Sequence, residues 1–150
     1  MIVAVGFDHR GVILRDRVLT EVAAAGHEAL DLGTHTAAEP VDYPDVARAV
    51  GEAILDARAE RGILVCGSGV GASVAACKLP GIRAAVCHDT YSAHQGVEHD
   101  DMNVLTLGAR VIGPEPAYEC ALAFLGATFS GEPRHVRRLN KVLAIEAEDG

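Results

Sequence analysis

Five short, nearly uninterrupted apolar runs dominate the sequence: IVAVGF at 2–7, HEALDLG at 27–33, GILVCG at 62–67, IRAAVCH at 82–88 and NVLTLGAR at 103–110. A strand with one wet face alternates apolar and polar residues, whereas a continuous run suits a strand covered on both faces, as in a parallel sheet. Helix-like stretches follow them, roughly 11–25, 44–59, 70–78, 92–99 and 115–126, with a last one near 134–147. Alternation of this kind predicts an α/β chain: a three-layer αβα sandwich around a five-stranded, mostly parallel, Rossmann-like sheet.

Turn residues fall between the predicted elements. Gly26 follows the first helix, EPVDYPD precedes the second, Pro80-Gly81 separates helix from strand, and Gly113-Pro114 opens the fifth helix. With 150 residues, 49% of them hydrophobic, the chain can bury the core of one domain, 1–150. A net charge of -8 disfavours a nucleic-acid partner, which needs a basic face. No leader pattern opens the sequence and no apolar segment approaches the ~18 residues of a membrane span, so a soluble cytoplasmic protein without a membrane partner is expected. Cys66, Cys77, Cys87 and Cys120 form no C-x-x-C pair, which predicts free thiols, with neither disulfides nor a metal site. The acidic tail IEAEDG is expected to fray.

Ligands of an open parallel sheet bind beyond the carboxyl ends of its strands. Here those ends carry Asp8-His9, Gly33-Thr34, Cys66 with the loop GSGVG, His88-Asp89-Thr90-Tyr91, and Arg110. Glycines let backbone N–H groups approach a ligand, and the N-terminus of the next helix favours negative charge, so the loop reads as an anion cradle. Gly67, Gly69 and Ala72 also fit the dinucleotide pattern G-x-G-x-x-G/A, with Asp89 about where a ribose-binding acid would stand. Against that rival, the loop follows the third strand rather than the first, and Cys66 has no task in it. Cys66 is readable as packing, or as a thiolate favoured by the adjacent amides and helix end. Arg134 and Arg138, one turn apart with His135 and Arg137 beside them, read as a solvated basic helix end or as a phosphate clamp.

GFDHRG, VDYPD, RGILVCGSGVGASVAACKLPGIRAAVCHDTYSA, EHDDMNVLTLGARVIGP and RHVRRLNK together resemble the type B ribose-5-phosphate isomerase family, which also holds galactose-6-phosphate isomerase subunits. The resemblance runs from Ile2 to about Val142. It implies aldose–ketose isomerisation without metal or other cofactor, through a cis-enediolate, on a phosphorylated sugar. Cys66 matches the family's base, and Ala72 stands where members lacking the cysteine carry a glutamate. Ser68 matches a residue that positions the base or the sugar, and Gly67, Gly69, Val70 and Gly71 supply oxyanion-binding amides. The resemblance gives sugar binding and ring opening to Asp8 and His99, a pocket wall to Tyr43, and phosphate binding to His9, Arg110, Arg134 and Arg138. Asp42 and Asp89 read as turn and cap residues.

His99 ends a predicted helix of about eight residues leaving the reactive edge, which carries it roughly 12 Å away. It is therefore expected to serve a partner's pocket, as is the C-terminal helix, in a homodimer or a dimer of dimers. Four residues depart from the family pattern: Asp100 in place of the usual Asn, Arg10 in place of a small residue, and Phe7 and Val12. An ionised Asp100 only accepts hydrogen bonds and would oppose a nearby oxyanion. Ribose 5-phosphate is the first substrate reading. A tetrose phosphate or a hexose 6-phosphate such as galactose or allose 6-phosphate is the second, and a non-catalytic nucleotide or sugar-phosphate binding module the third.

Overall fold

The computed structural model describes residues 1–148. Strands β1 (Ile2–Phe7), β2 (Glu28–Asp31), β3 (Arg61–Cys66), β4 (Ala84–Val86) and β5 (Val104–Gly108) form one sheet in the order β2-β1-β3-β5-β4. Every pair is parallel, so the sheet is wholly rather than mostly parallel. Six helices surround it: α1 (Arg15–Ala24), α2 (Tyr43–Leu55), α3 (Val70–Ala76), α4 (Thr90–Asp100), α5 (Pro114–Gly126) and α6 (Pro133–Ala147).

Side chains alternate across the sheet, and both faces are apolar, which explains the continuous runs. Val3, Val5, Phe7, Ile63, Val65, Leu105 and Leu107 pack against α1, α4 and α5. Ala4, Leu64, Cys66 and Val104 face α2 and α3, completing the three-layer sandwich. The central strands are buried almost throughout, whereas the edge strands β2 and β4 are four and three residues long, shorter than their apolar runs. Arg61, opening β3, donates to the carbonyls of Phe124 and Ala127, each at 2.7 Å, and so satisfies acceptors left free where α5 ends.

The first predicted helix is divided. A 3-10 turn over Gly11–Leu14 precedes α1, because the chain there presses onto β3: a Cβ on Gly11 would lie 2.0 Å from the Val65 carbonyl oxygen. At the other end α6 continues through Ala147, and the Glu146 carboxylate accepts the Gly81 N–H at 3.0 Å. Residues 145–147 of the acidic tail are thus helical rather than frayed, while Asp149 and Gly150 lie outside the described residues.

Candidate active site

The chain leaves β1 toward β2 on one side and returns to β3 on the other, which opens a crevice at the carboxyl ends of β1 and β3. A cavity of about 280 Å³ lies there. Its walls are Asp8, His9 and Arg10 after β1; Val41, Asp42 and Tyr43 at the start of α2; and Cys66, Gly67, Ser68 and Gly71 after β3.

Cys66 is the last residue of β3 and is 5% exposed. Its Sγ accepts the Gly69 N–H at 3.2 Å, a donor that stabilises negative charge on sulfur. That geometry depends on Gly69, whose φ of +83° lies in the left-handed region and turns the chain back on itself as α3 begins. Ser68 Oγ accepts the Val70 N–H at 3.2 Å. The N–H groups of Gly67, Ser68 and Gly71 make no hydrogen bond among the described residues, which leaves them to a ligand. Gly71 lies beneath the Tyr43 ring: a Cβ there would come within 2.7 Å of it, so only glycine lets the ring close that wall.

Asp8 is 4% exposed, and one of its oxygens, Oδ1, accepts the N–H groups of Arg10 and Gly11 at 2.9 and 2.8 Å. His9 Nδ1 lies 3.1 Å from the Val41 amide nitrogen and 3.2 Å from the Val41 carbonyl oxygen, so the ring is held against the chain entering α2 whichever nitrogen carries the proton. Arg10 and Arg110 both approach Gly67: a Cβ there would meet their Cδ atoms at 3.3 and 3.9 Å. Neither guanidinium has a carboxylate partner among the described residues.

A second polar cluster joins α4 to α6. The His99 ring stacks on His135 with centroids 4.0 Å apart, and Gln95 Nε2 donates to His99 Nδ1 at 2.9 Å. His135 is 3% exposed and contacts the Ser130 hydroxyl. Burial holds the His135 imidazole below the ordinary histidine pKa, and His99 and Arg134 push the same way. Arg134 Nε donates to Glu132 at 3.1 Å, and Arg138 lies exposed one turn further on.

Within one chain, His99, Asp100, Arg134 and Arg138 do not line the Cys66 cavity. The reason is directional: α4 starts at the carboxyl edge, where Asp89 caps it by accepting the Ser92 N–H at 2.6 Å, and its last turn arrives beside the opposite edge. Asp100 accordingly lines cavities with Arg83, next to the start of β4, and does not face the glycine loop of its own chain. Neither Val70, which is 56% exposed, nor Arg110 lines the cavity, although the Arg110 side chain lies beside Gly67. Asp42 precedes α2 without a side-chain capping bond and is a cavity wall instead. Of the departing residues Phe7 is fully buried in the core, leaving Arg10 as the one that enters the cavity wall. Sequence reasoning missed the contacts of His135: its spacing from Arg134 is visible, but the stack on His99 joins two elements far apart in the chain.

A buried thiol with an amide donor thus stands at the switch point of a parallel sheet, beside two guanidinium groups without a carboxylate partner among the described residues. A family profile described as Ribose/Galactose Isomerase matches residues 3–142. Ribose-5-phosphate isomerase B of Escherichia coli K12 is 43% identical over 144 residues, 96% of this chain and 95% of that one. D-erythrulose-4-phosphate isomerase of Pectobacterium atrosepticum is 42% identical over 129 residues, 86% of this chain and 85% of that one. The structure of Clostridium thermocellum ribose-5-phosphate isomerase B superposes with a TM-score of 0.95 at 42% identity, covering 100% of both chains. The chain belongs to the ribose/galactose isomerase family and is a sugar-phosphate isomerase.

Proposed function

We propose that the chain, acting as one domain over 1–150, interconverts ribose 5-phosphate and ribulose 5-phosphate with Cys66 as the base. The observation that carries this reading is the Cys66 sulfur, bonded to the Gly69 N–H at the wall of a cavity lined by further amides. The thiolate takes the proton from C2 of the open aldose, and the electron pair passes into the C1–C2 enediolate. The thiol then returns the proton to C1 while a proton moves from O2 to O1. The free N–H groups of Gly67, Ser68 and Gly71 hold the oxygen on which charge develops. Asp8 and His9 bind sugar and phosphate, and Arg10 joins Arg110 as an anion-binding group beside Gly67.

His99, Arg134 and Arg138 complete the site from a second copy in a homodimer. The support is that they cluster on α4 and α6, outside their own chain's cavity, and that α6 exposes Val136, Val142, Leu143 and Ile145. The similarity to the Pectobacterium enzyme favours a second substrate reading, a tetrose 4-phosphate, in which Arg10 shortens the reach to the phosphate. Family membership sets aside the non-catalytic binding module.

NMR of a phosphosugar panel in deuterated water tests the proposal. Ribose 5-phosphate should turn over with deuterium entering at C1 of the ketose, and Cys66→Ala should abolish this. Turnover of erythrulose 4-phosphate alone would transfer the assignment to the tetrose, and turnover of neither would overturn both substrate readings.

A further inference from the structure

β5 lies between β3 and β4 and outruns β4. Val86, the last residue of β4, pairs with Thr106, whereas Gly108 pairs with Cys66 on the other side. The Thr106 carbonyl points toward β4 and accepts the Cys87 N–H at 3.4 Å. Two residues on, the Gly108 N–H points the same way, where no strand remains to accept it. The His88 ring fills that position: Nε2 accepts the Gly108 N–H at 2.9 Å. An acceptor nitrogen is an unprotonated one, and burial holds the His88 imidazole below the ordinary histidine pKa, with Asp89 opposing.

The catalytic loop rests on the strand end so held. The N–H groups of Ala109 and Arg110 donate to the carbonyls of Cys66 and Gly67 at 2.8 and 3.0 Å. Gly108 itself lies under Ser68, where an added Cβ would come within 2.5 Å of the Ser68 carbonyl oxygen. Three successive amides at the end of β5 and just past it, those of Gly108, Ala109 and Arg110, are therefore committed, the first to His88 and the other two to the carbonyls of Cys66 and Gly67.

We propose that His88 is a positioning residue: by accepting the Gly108 N–H it carries β5 one rung past β4 and holds the strand end beneath Cys66–Gly69. It does not line the cavity, so it acts through the backbone and not on the substrate. Its kinetic readout rests on the isomerase reading, while its structural readouts do not.

His88→Phe keeps a ring but removes the acceptor, and His88→Gln places an amide oxygen near the position of Nε2. The Phe variant should lose about 10- to 100-fold in kcat with KM within about threefold of wild type, the size expected when reacting groups are slightly misplaced. The Gln variant should recover to within about fivefold of wild type. Amide exchange at Gly108 should quicken in the Phe variant only, and alkylation of Cys66 by iodoacetamide, read on its own peptide by mass spectrometry, should change with it. Wild-type kcat in His88→Phe, or equal impairment of the Gln and Phe variants, would overturn the proposal. If the wild type turned over no phosphosugar, Gly108 exchange and Cys66 alkylation would still decide: unaltered values in His88→Phe overturn it, altered values support it. Should the Phe variant not fold, Gln against the shorter Asn gives the same contrast.

Discussion

The Cys66 cluster is assembled from the ends of β1, β3 and β5, where ladder register places Cys66 opposite Gly108 and Phe7, just before Asp8, opposite Val65. The His99–His135 cluster instead joins the last turn of α4 to the first turns of α6, a helix that packs within its own chain mainly on α4. Moving the first cluster means breaking the sheet, whereas moving the second means shifting one surface helix. The proposed base, whose position must be held to within about 0.5 Å of the productive geometry, sits on such a strand end. The groups proposed to open the ring and grip the phosphate, His99, Arg134 and Arg138, sit instead at helix ends, where the proposed second subunit would supply them.

The largest effect expected is at the sheet-borne cluster. Cys66→Ala should lower kcat by at least about 10³-fold, the upper range for removal of a general base, while leaving the fold intact because a small apolar side chain suits that face. Substrate-dependent deuterium exchange and thermal unfolding measure the two halves of that statement. Substantial turnover by the variant would leave the amide-lined loop without its base.

A sharper test asks whether the clusters cooperate across copies. Cys66→Ala and His99→Asn, each nearly inactive alone, should recover about a quarter of wild-type activity when co-expressed with different tags, since half of randomly formed two-fold dimers are mixed and each mixed dimer has one intact site. Absence of recovery in purified mixed dimers would place both clusters in the service of one chain.

The difference between the clusters also explains what could be read in the sequence. Strand ends announce themselves, because a continuous apolar run followed by Cys66 and GSGVG fixes both the strand and the edge on which its chemistry lies. The edge residues Asp8, His9, Tyr43, Cys66, Gly67, Ser68 and Gly71 accordingly meet in one cavity. Stacking of His99 on His135 was not legible, since it depends on how α6 returns across α4, a contact between residues with no shared period. Asp100 and Phe7 looked relevant to the pocket from their neighbours in sequence, but the direction of α4 takes Asp100, like His99, away from its own chain's cavity, and strand alternation buries Phe7. His88 stood on the right edge without a role, because its acceptor function appears only once β4 is seen to stop short of β5.

Each cluster has a histidine nearby whose pKa lies below the ordinary value of 6.5, His88 for the strands and His135 for the helices, in both cases chiefly through burial. Between the folded and ordinary values the unfolded chain binds more protons, so stability falls as pH drops below about 6.5 and is unaffected by these groups above it. Thermal unfolding from pH 7.5 to 5 should show this decline, and His135→Phe should make it shallower. Hydrogen exchange separates the two regions within the same range: α6 amides should lose protection with His135, and Gly108 with His88. An unchanged slope in His135→Phe would assign the acid sensitivity to the sheet side.

The smallest effect should come from Thr106, fully buried on the face that carries Leu64 and Cys66, whose hydroxyl has no hydrogen-bond partner among the described residues. A buried polar atom left unpaired costs stability that an apolar group of the same shape does not. Thr106→Val keeps the β-branch and the volume, so it should raise stability to unfolding by up to about 1 kcal/mol in denaturant titration. Its backbone carbonyl, which receives the Cys87 N–H, is unaffected, and kcat should not change. A loss of stability would mean that the hydroxyl has a partner, such as an ordered water, on the inner face of β5. The rung below the Cys66 loop would then be held by more than packing.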